Sequence, residues 1–182
     1  MTSTEHTFRA AAVRTEASDV DRLIVVDLEE RRGRELFGFA RNLGLTDEEA
    51  RDATQEALLR LWRALDAGKG IGQPEAWTFR ALYRICMDEH RWRRRVRGLA
   101  ERLQRRTESS EGDQSEGIAV WDAVERLPAR QRHAVYLRYR ADLPFDEVGA
   151  ILGIAAASAR SHVSRALDTL RARLSDEMET NR

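Results

Sequence analysis

The stretch from Thr46 to Leu65 constrains the fold more than any other part of the chain. Thr46 with Glu49 three residues on forms a capping box: the Thr46 hydroxyl accepts from the Glu49 N–H, and the Glu49 carboxylate accepts from the Thr46 N–H. Behind it, Ala50, Ala53, Ala57, Leu58, Leu61, Trp62 and Leu65 recur at i, i+3, i+4 spacing and make a single apolar stripe. A segment with this period is a helix that buries one face, Trp62 included. Asp52, Gln55, Glu56 and Arg60 lie off the stripe. Glycine and proline number only 11 and 3 among 182 residues, too few for the turns of a sandwich or barrel. With 42% hydrophobic and 34% charged residues, the chain is expected to be all-α, with packed cores and solvated helix faces.

The flanking segments repeat the pattern. Residues 1–19 are polar and unpatterned and are expected to be a loose arm. From Val20 to Leu43 the apolar residues Leu23, Val26, Leu36, Phe39, Ala40 and Leu43 fall at helical spacing. Gly33 is a candidate interruption and Gly44 a candidate C-cap. The run Asp66–Pro74 holds three glycines and a proline and reads as a loop; Gly68-Lys69-Gly70 lacks the spacing and hydroxyl of a phosphate-binding loop. A further helix is expected from near Glu75 to about Leu103, burying Trp77, Ala81, Leu82, Ile85 and Cys86.

Charge then divides the chain. Acidic and basic residues balance at 31 each, but they are segregated. Arg80 to Arg106 carries ten arginines against three acids, Asp88, Glu89 and Glu101. Residues 107–117 invert this, with Glu108, Glu111, Asp113 and Glu116 and no base, and read as a flexible acidic linker. The expected organisation is two small helical domains, 20–106 and 118–176, followed by a tail over 177–182. A phosphate backbone meets local potential rather than net charge, so neutrality overall does not exclude nucleic acid as a partner.

In the second domain, helices are expected over Ile118–Leu127, Ala129–Ala141, Pro144–Leu152 and from Ala156 to about Leu174. The last two form a helix-turn-helix. Gly153 reverses the chain, Ile154 plugs the space between the helices, and Ala159, Val163, Ala166 and Leu170 face inward. Ser158, Arg160, Ser161, His162, Ser164 and Arg165 then cluster on the other face, at the end of the helix that meets base edges in a major groove. The second basic feature surrounds Trp92 with Arg91, Arg93, Arg94, Arg95 and Arg97; arginines neutralise phosphates and an exposed ring stacks on an unpaired base.

Other chemistry is disfavoured. Cys86 is the lone cysteine, which excludes a disulfide framework or thiolate zinc site within the chain, and its apolar surroundings read as a buried, inert thiol. His6, His90, His133 and His162 lack ligand spacing; His162 could donate to DNA, and the others read as surface residues. Trp62, Trp77 and Trp121 read as core. The Asp88-Glu89 pair sits among arginines and reads as structural. Leu23-Ile24-Val25-Val26 is far too short to span a bilayer, so a cytoplasmic protein is expected. No enzyme activity, cofactor, metal, small-molecule substrate or membrane insertion is expected.

In this order the motifs resemble the bacterial sigma factors of the extracytoplasmic-function (ECF) group, over about Leu36 to Leu174. The segment Asp52-Ala53-Thr54-Gln55-Glu56-Ala57-Leu58-Leu59-Arg60-Leu61-Trp62 is similar to a signature of the family's domain two, as is Trp77 through Asp88 to Arg91. Leu127-Pro128-Ala129-Arg130-Gln131-Arg132 with Leu137-Arg138-Tyr139, then Phe145 to Ile154 and Ser158 to Ala166, resemble domain four. The resemblance implies that Asp52, Gln55, Glu56 and Arg60 dock on the clamp helices of the polymerase β′ subunit. It implies that the loop holding Lys69 takes a base flipped from the minus-ten element, and that Arg80, Arg84, Arg91, Trp92, Arg93, Arg94 and Arg95 track the opened strand. Ser158, Arg160, Ser161, His162, Ser164 and Arg165 would read the minus-thirty-five element. Core RNA polymerase, through β′ and β, promoter DNA and an anti-sigma factor are the implied partners.

The chain departs from the family pattern at Arg84, where Asn is usual, at Glu89 and His90, and at Ala155-Ala156-Ala157-Ser158, where Pro-x-Gly-Thr is usual. A stand-alone helix-turn-helix regulator is the alternative, but it needs a dimerisation element and no helix is spare for one. A decoy that titrates an anti-sigma factor would need an attached receiver domain, for which 182 residues leave no room.

Overall fold

A computed structural model describes the backbone of residues 3–103 and 119–180, with side chains over 19–96 and 121–173 apart from residue 122. The described residues form seven α-helices and no strand. α1 spans Ser3–Asn42, α2 Asp47–Asp66, α3 Pro74–Leu103, α4 Ala119–Glu125, α5 Ala129–Val135, α6 Phe145–Leu152 and α7 Ala156–Thr180. A π-helical turn, Tyr136–Arg140, continues α5. The acidic stretch expected to be a linker, residues 107–117, lies outside the described residues. α1 begins at Ser3 and so takes in the stretch expected to be a loose arm; no proline or glycine precedes Gly33 to break it, and Gly33 itself is passed without interruption. α7 likewise runs past residue 176 into the expected tail.

The first unit is α1 to α3. Gly44 ends α1 with φ of +91°, and the Leu45 N–H returns to the Ala40 carbonyl at 3.3 Å, satisfying a carbonyl the helix leaves open. The capping box at α2 is formed in full: Thr46 N–H donates to Glu49 Oε2 at 2.9 Å, and Glu49 N–H to Thr46 Oγ1 at 3.4 Å. Leu36, Phe39, Leu61, Phe79 and Leu82 fill the core, with the Phe39 and Phe79 rings edge to face at 5.7 Å between centroids. Cys86 is buried with them, as expected, and burial pushes its thiol up to about 12.

One expectation of burial fails here. Trp62 is 40% exposed, because it lies about 100° round α2 from Leu61, which holds the centre of the buried stripe. Leu23 and Val26, which fall at helical spacing, are exposed as well: the side of α1 that packs against the core carries Val25 and Leu28 instead.

In the second unit, α6 and α7 form the helix-turn-helix. Gly153 takes φ of +68° and caps α6, and the Ile154 N–H donates to the Gly149 carbonyl at 2.9 Å. Gly149 is equally fixed: a Cβ there would lie 2.7 Å from the Ile154 carbonyl oxygen and 3.1 Å from the Ala156 nitrogen. The segment expected as one helix over Ala129–Ala141 widens into the π turn, where the Ala141 N–H donates to the Tyr136 carbonyl at 3.1 Å. Tyr139 is exposed on this turn. His133, expected at the surface, is buried.

The buried residues of the two units form one continuous core. Tyr136 reaches from the π turn to α1: its hydroxyl donates to the Glu35 carbonyl at 3.0 Å, and its ring lies 5.6 Å from that of Phe39 and 6.0 Å from that of Trp121. Between α3 and α6, Arg80 pairs with Glu147 at 3.3 Å.

Candidate nucleic-acid interface

Three surfaces carry the residues singled out in the sequence. The first is the outer side of α2. Asp52, Gln55 and Arg60 are exposed and Glu56 is half-buried. Glu56 accepts from Arg60 Nε at 2.7 Å and lies 3.9 Å from an Arg63 nitrogen. Leu59 and Trp62 are exposed beside them. Each follows a polar docking candidate by seven residues, Leu59 after Asp52 and Trp62 after Gln55, which is two helical turns along the same side. That spacing is the signal by which the sequence could have placed both on this surface. A groove of about 500 Å³ runs between α2 and α3, lined by Glu49, Asp52, Glu56, Arg60, Ile85 and Trp92. Its acidic rim and apolar floor suit a basic amphipathic helix.

The second surface is the glycine loop with α3. Lys69 is exposed on the loop, where Gly68 takes φ of +70°, and Gly70 and Gly72 have open space at the position of a Cβ. A hollow of about 280 Å³ lies between this loop and the start of α3, lined by Lys69, Gly70, Gly72, Trp77 and Arg80. At 100° per residue, Arg80, Arg84, Arg91 and Arg95 fall within about 60° of one another and share one face of α3. Arg84, Arg91, Arg94 and Arg95 are exposed; Arg91 pairs with Asp88 at 3.2 Å, a contact too solvated to hold it.

Arg93 stands apart. Its Nε donates to Glu89 of the same helix at 3.0 Å, and the guanidinium turns towards α2 to pair with Glu49. The Thr46 backbone N–H, and then Arg93, hold the Glu49 carboxyl below the usual carboxylate range. Arg93 therefore pins α3 to the start of α2. Trp92 is 58% exposed, but it lines the groove with Asp52 and Glu56 rather than the face of Arg80. The two unusual residues before the arginine run also have structural partners: Glu89 holds Arg93, and His90 Nε2 lies 2.7 Å from the Leu43 carbonyl at the end of α1.

The third surface is the outer face of α7. Ser158, Arg160, Ser161, Ser164 and Arg165 are exposed and His162 is half-buried, while Ala159, Val163, Ala166 and Leu170 are buried against the neighbouring helices. Ser161 Oγ donates to the Ala157 carbonyl at 3.0 Å, which leaves its lone pairs facing out. Arg160 lies over the Phe145 ring at 5.1 Å and Arg138 over the same ring at 5.7 Å, so Phe145 holds two cations beside the start of α7. Among the described residues, no group of His, Cys, Asp and Glu could hold a metal ion, and no helix is long and apolar enough to cross a membrane.

An arginine-faced helix and a helix-turn-helix with an exposed donor cluster are the features of a DNA-binding protein. Comparison with known proteins makes this specific. Residues 28–97 match the family model "Sigma-70 region 2" and residues 118–170 match "Sigma-70, region 4". The chain is 30% identical over 142 residues to the ECF RNA polymerase sigma factor EcfG of Rhodopseudomonas palustris (strain TIE-1), covering 76% of this chain and 78% of that one. It is also 30% identical over 147 residues to the ECF RNA polymerase sigma factor SigM of Mycobacterium tuberculosis (strain ATCC 25618 / H37Rv), covering 80% and 74%. In fold it resembles the sigma factor RpoE of Bartonella quintana, solved in complex with the anti-sigma factor NepR, with a TM-score of 0.62 at 24% identity over 82% of this chain and 97% of that one. The chain belongs to the sigma-70 family, in its ECF group. That family comprises transcription initiation factors that are not themselves enzymes.

Proposed function

We propose that this chain binds core RNA polymerase in the cytoplasm and directs it to promoters with a minus-ten and a minus-thirty-five element, catalysing no reaction of its own. The single observation that carries the reading is the helix-turn-helix: Gly149 and Gly153 allow α6 and α7 to close tightly, and five polar side chains of α7, Ser158 to Arg165, are left exposed. In this reading α7 lies in the major groove at the minus-thirty-five element. Ser161, Ser164 and Arg165 face the groove most directly, and Arg160, beside Phe145, reaches the backbone.

The α2 surface of Asp52, Gln55, Glu56 and Arg60, extended by Leu59 and Trp62, docks the β′ clamp helices. Lys69, Arg80, Arg84, Arg91, Arg94 and Arg95 take the minus-ten strand, the glycine loop supplying space for a flipped base without a side chain in the way. Arg93 serves this site by position, holding α3 against α2, and Trp92 stands at the polymerase-facing groove. An anti-sigma factor holds the chain inactive by covering these surfaces, a reading supported by the relative from Bartonella quintana, whose structure contains one.

The test is run-off transcription with bacterial core polymerase and alanine variants of α7. Loss of initiation from promoters with a minus-thirty-five element, with core binding retained, is the expected result. Tight operator binding by the free chain, without any effect on initiation, would replace this reading by a stand-alone regulator.

A further inference from the structure

The hollow between the glycine loop and the start of α3 is lined by Glu147 of α6 together with Lys69, Trp77 and Arg80. Glu147 and Arg80 stand side by side in it, with Oε2 and Nη2 3.3 Å apart, which is long for a charge-assisted hydrogen bond. Arg80 Nε is buried without a hydrogen-bond partner. The pair is therefore incompletely satisfied and presents donors beside acceptors to whatever enters. The Trp77 ring, partly buried against the core, supplies an apolar wall. On the loop, Lys69 is exposed, and Gly70 and Gly72 have no side chain to block an approach. At about 280 Å³ the hollow is at the small end of ligand sites, with room for one nucleotide.

A guanidinium beside a carboxylate can read the edge of a base, because every base carries an acceptor next to a donor. Guanine suits this pair best. Its O6 accepts from Arg80, and its N1–H and N2–H are adjacent donors that match the two oxygens of Glu147. Adenine and cytosine have a single donor group on that edge. We propose that the hollow is a binding site for a free guanine mononucleotide, with the base edge on Arg80 and Glu147, the ring against Trp77 and the phosphate on Lys69. This goes beyond the minus-ten reading, which concerns a base still joined to its strand, and it stands or falls without that reading. Glu147 makes the site selective, and it belongs to no surface assigned to DNA or polymerase.

The test is calorimetric titration of the full chain with four probes: guanosine, inosine and adenosine 5′-monophosphates, and guanosine itself. Guanosine monophosphate should saturate one site per chain. Inosine monophosphate, which lacks the N2–H donors, should bind about tenfold more weakly, and adenosine monophosphate more weakly still. Guanosine, without the phosphate, should also lose about tenfold. Glu147→Gln should bring guanosine and inosine monophosphates to nearly equal affinity, and Lys69→Ala should do the same for guanosine monophosphate and guanosine. Circular dichroism confirms that each variant keeps its helices. A substitution that only loosened α6 would weaken both members of a pair and keep their ratio. The site is overturned by no saturable heat with guanosine monophosphate at low millimolar concentration, or by adenosine monophosphate binding as well. A preference for guanosine over inosine monophosphate that survives in folded Glu147→Gln overturns it equally.

Discussion

His133 is the residue whose chemistry differs most from its place in the sequence. It is buried in α5, and burial first, then the charges of Arg132 and His90, lower it from 6.5 to about 4. A histidine held neutral in the fold but free to protonate when unfolded favours folding at high pH. Its full contribution is present above the unfolded value of 6.5 and is lost as pH falls towards the folded value of about 4. The protein should therefore lose about 3 kcal/mol more stability than His133→Phe on going from neutral pH to about pH 4, read from urea melts across that range. Equal losses in the two proteins would place His133 in contact with water. At the DNA surface, Arg165→Ala should cost about tenfold in transcription from promoters with a minus-thirty-five element and leave the affinity for core polymerase unchanged. On α2, Trp62→Ala should weaken core binding, in a titration against labelled chain, without lowering the melting temperature, because the ring is exposed and outside the core.

At the scale of elements, the turn of the helix-turn-helix is the most sensitive point. Gly149→Ala places a methyl 2.7 Å from a backbone carbonyl that has no flexible end to yield, so a loss of about 1–3 kcal/mol is expected in thermal melts, with the minus-thirty-five function failing alongside. The elements were legible in the sequence wherever their cause is local. The capping box at Thr46 and Glu49, the left-handed Gly44 and Gly153, and the buried stripe of α7 each depend on residues a few positions apart, and each forms as the spacing predicts. The exceptions have non-local causes. Trp62 shares the apolar character of its stripe but not its direction, and among the described residues no neighbouring helix covers it. The π turn at Tyr136 coincides with the reach of that side chain to α1, a partner 101 positions earlier that no periodicity reveals. For the same reason the arginine run reads as uniform, although Arg93 is bound to acids on two helices and Arg84 and Arg95 are exposed to solvent.

At the scale of the molecule, two units that the sequence separates by a charge inversion share one core, and the contact between them lies beside the hollow proposed for the minus-ten strand. In the proposed reading, the exposed faces of α2, α3 and α7 let the chain meet polymerase and DNA on separate surfaces. The resemblance of the motifs made the family legible from sequence; the packing of the units on each other is visible only in three dimensions. The central claim is that the chain gives core polymerase its promoter. The most direct measurement is in-vitro transcription by bacterial core polymerase on a genomic fragment library, with and without the chain. Discrete start sites that depend on the chain and share two upstream elements are the predicted result. No chain-dependent initiation, together with no binding to core, would contradict it.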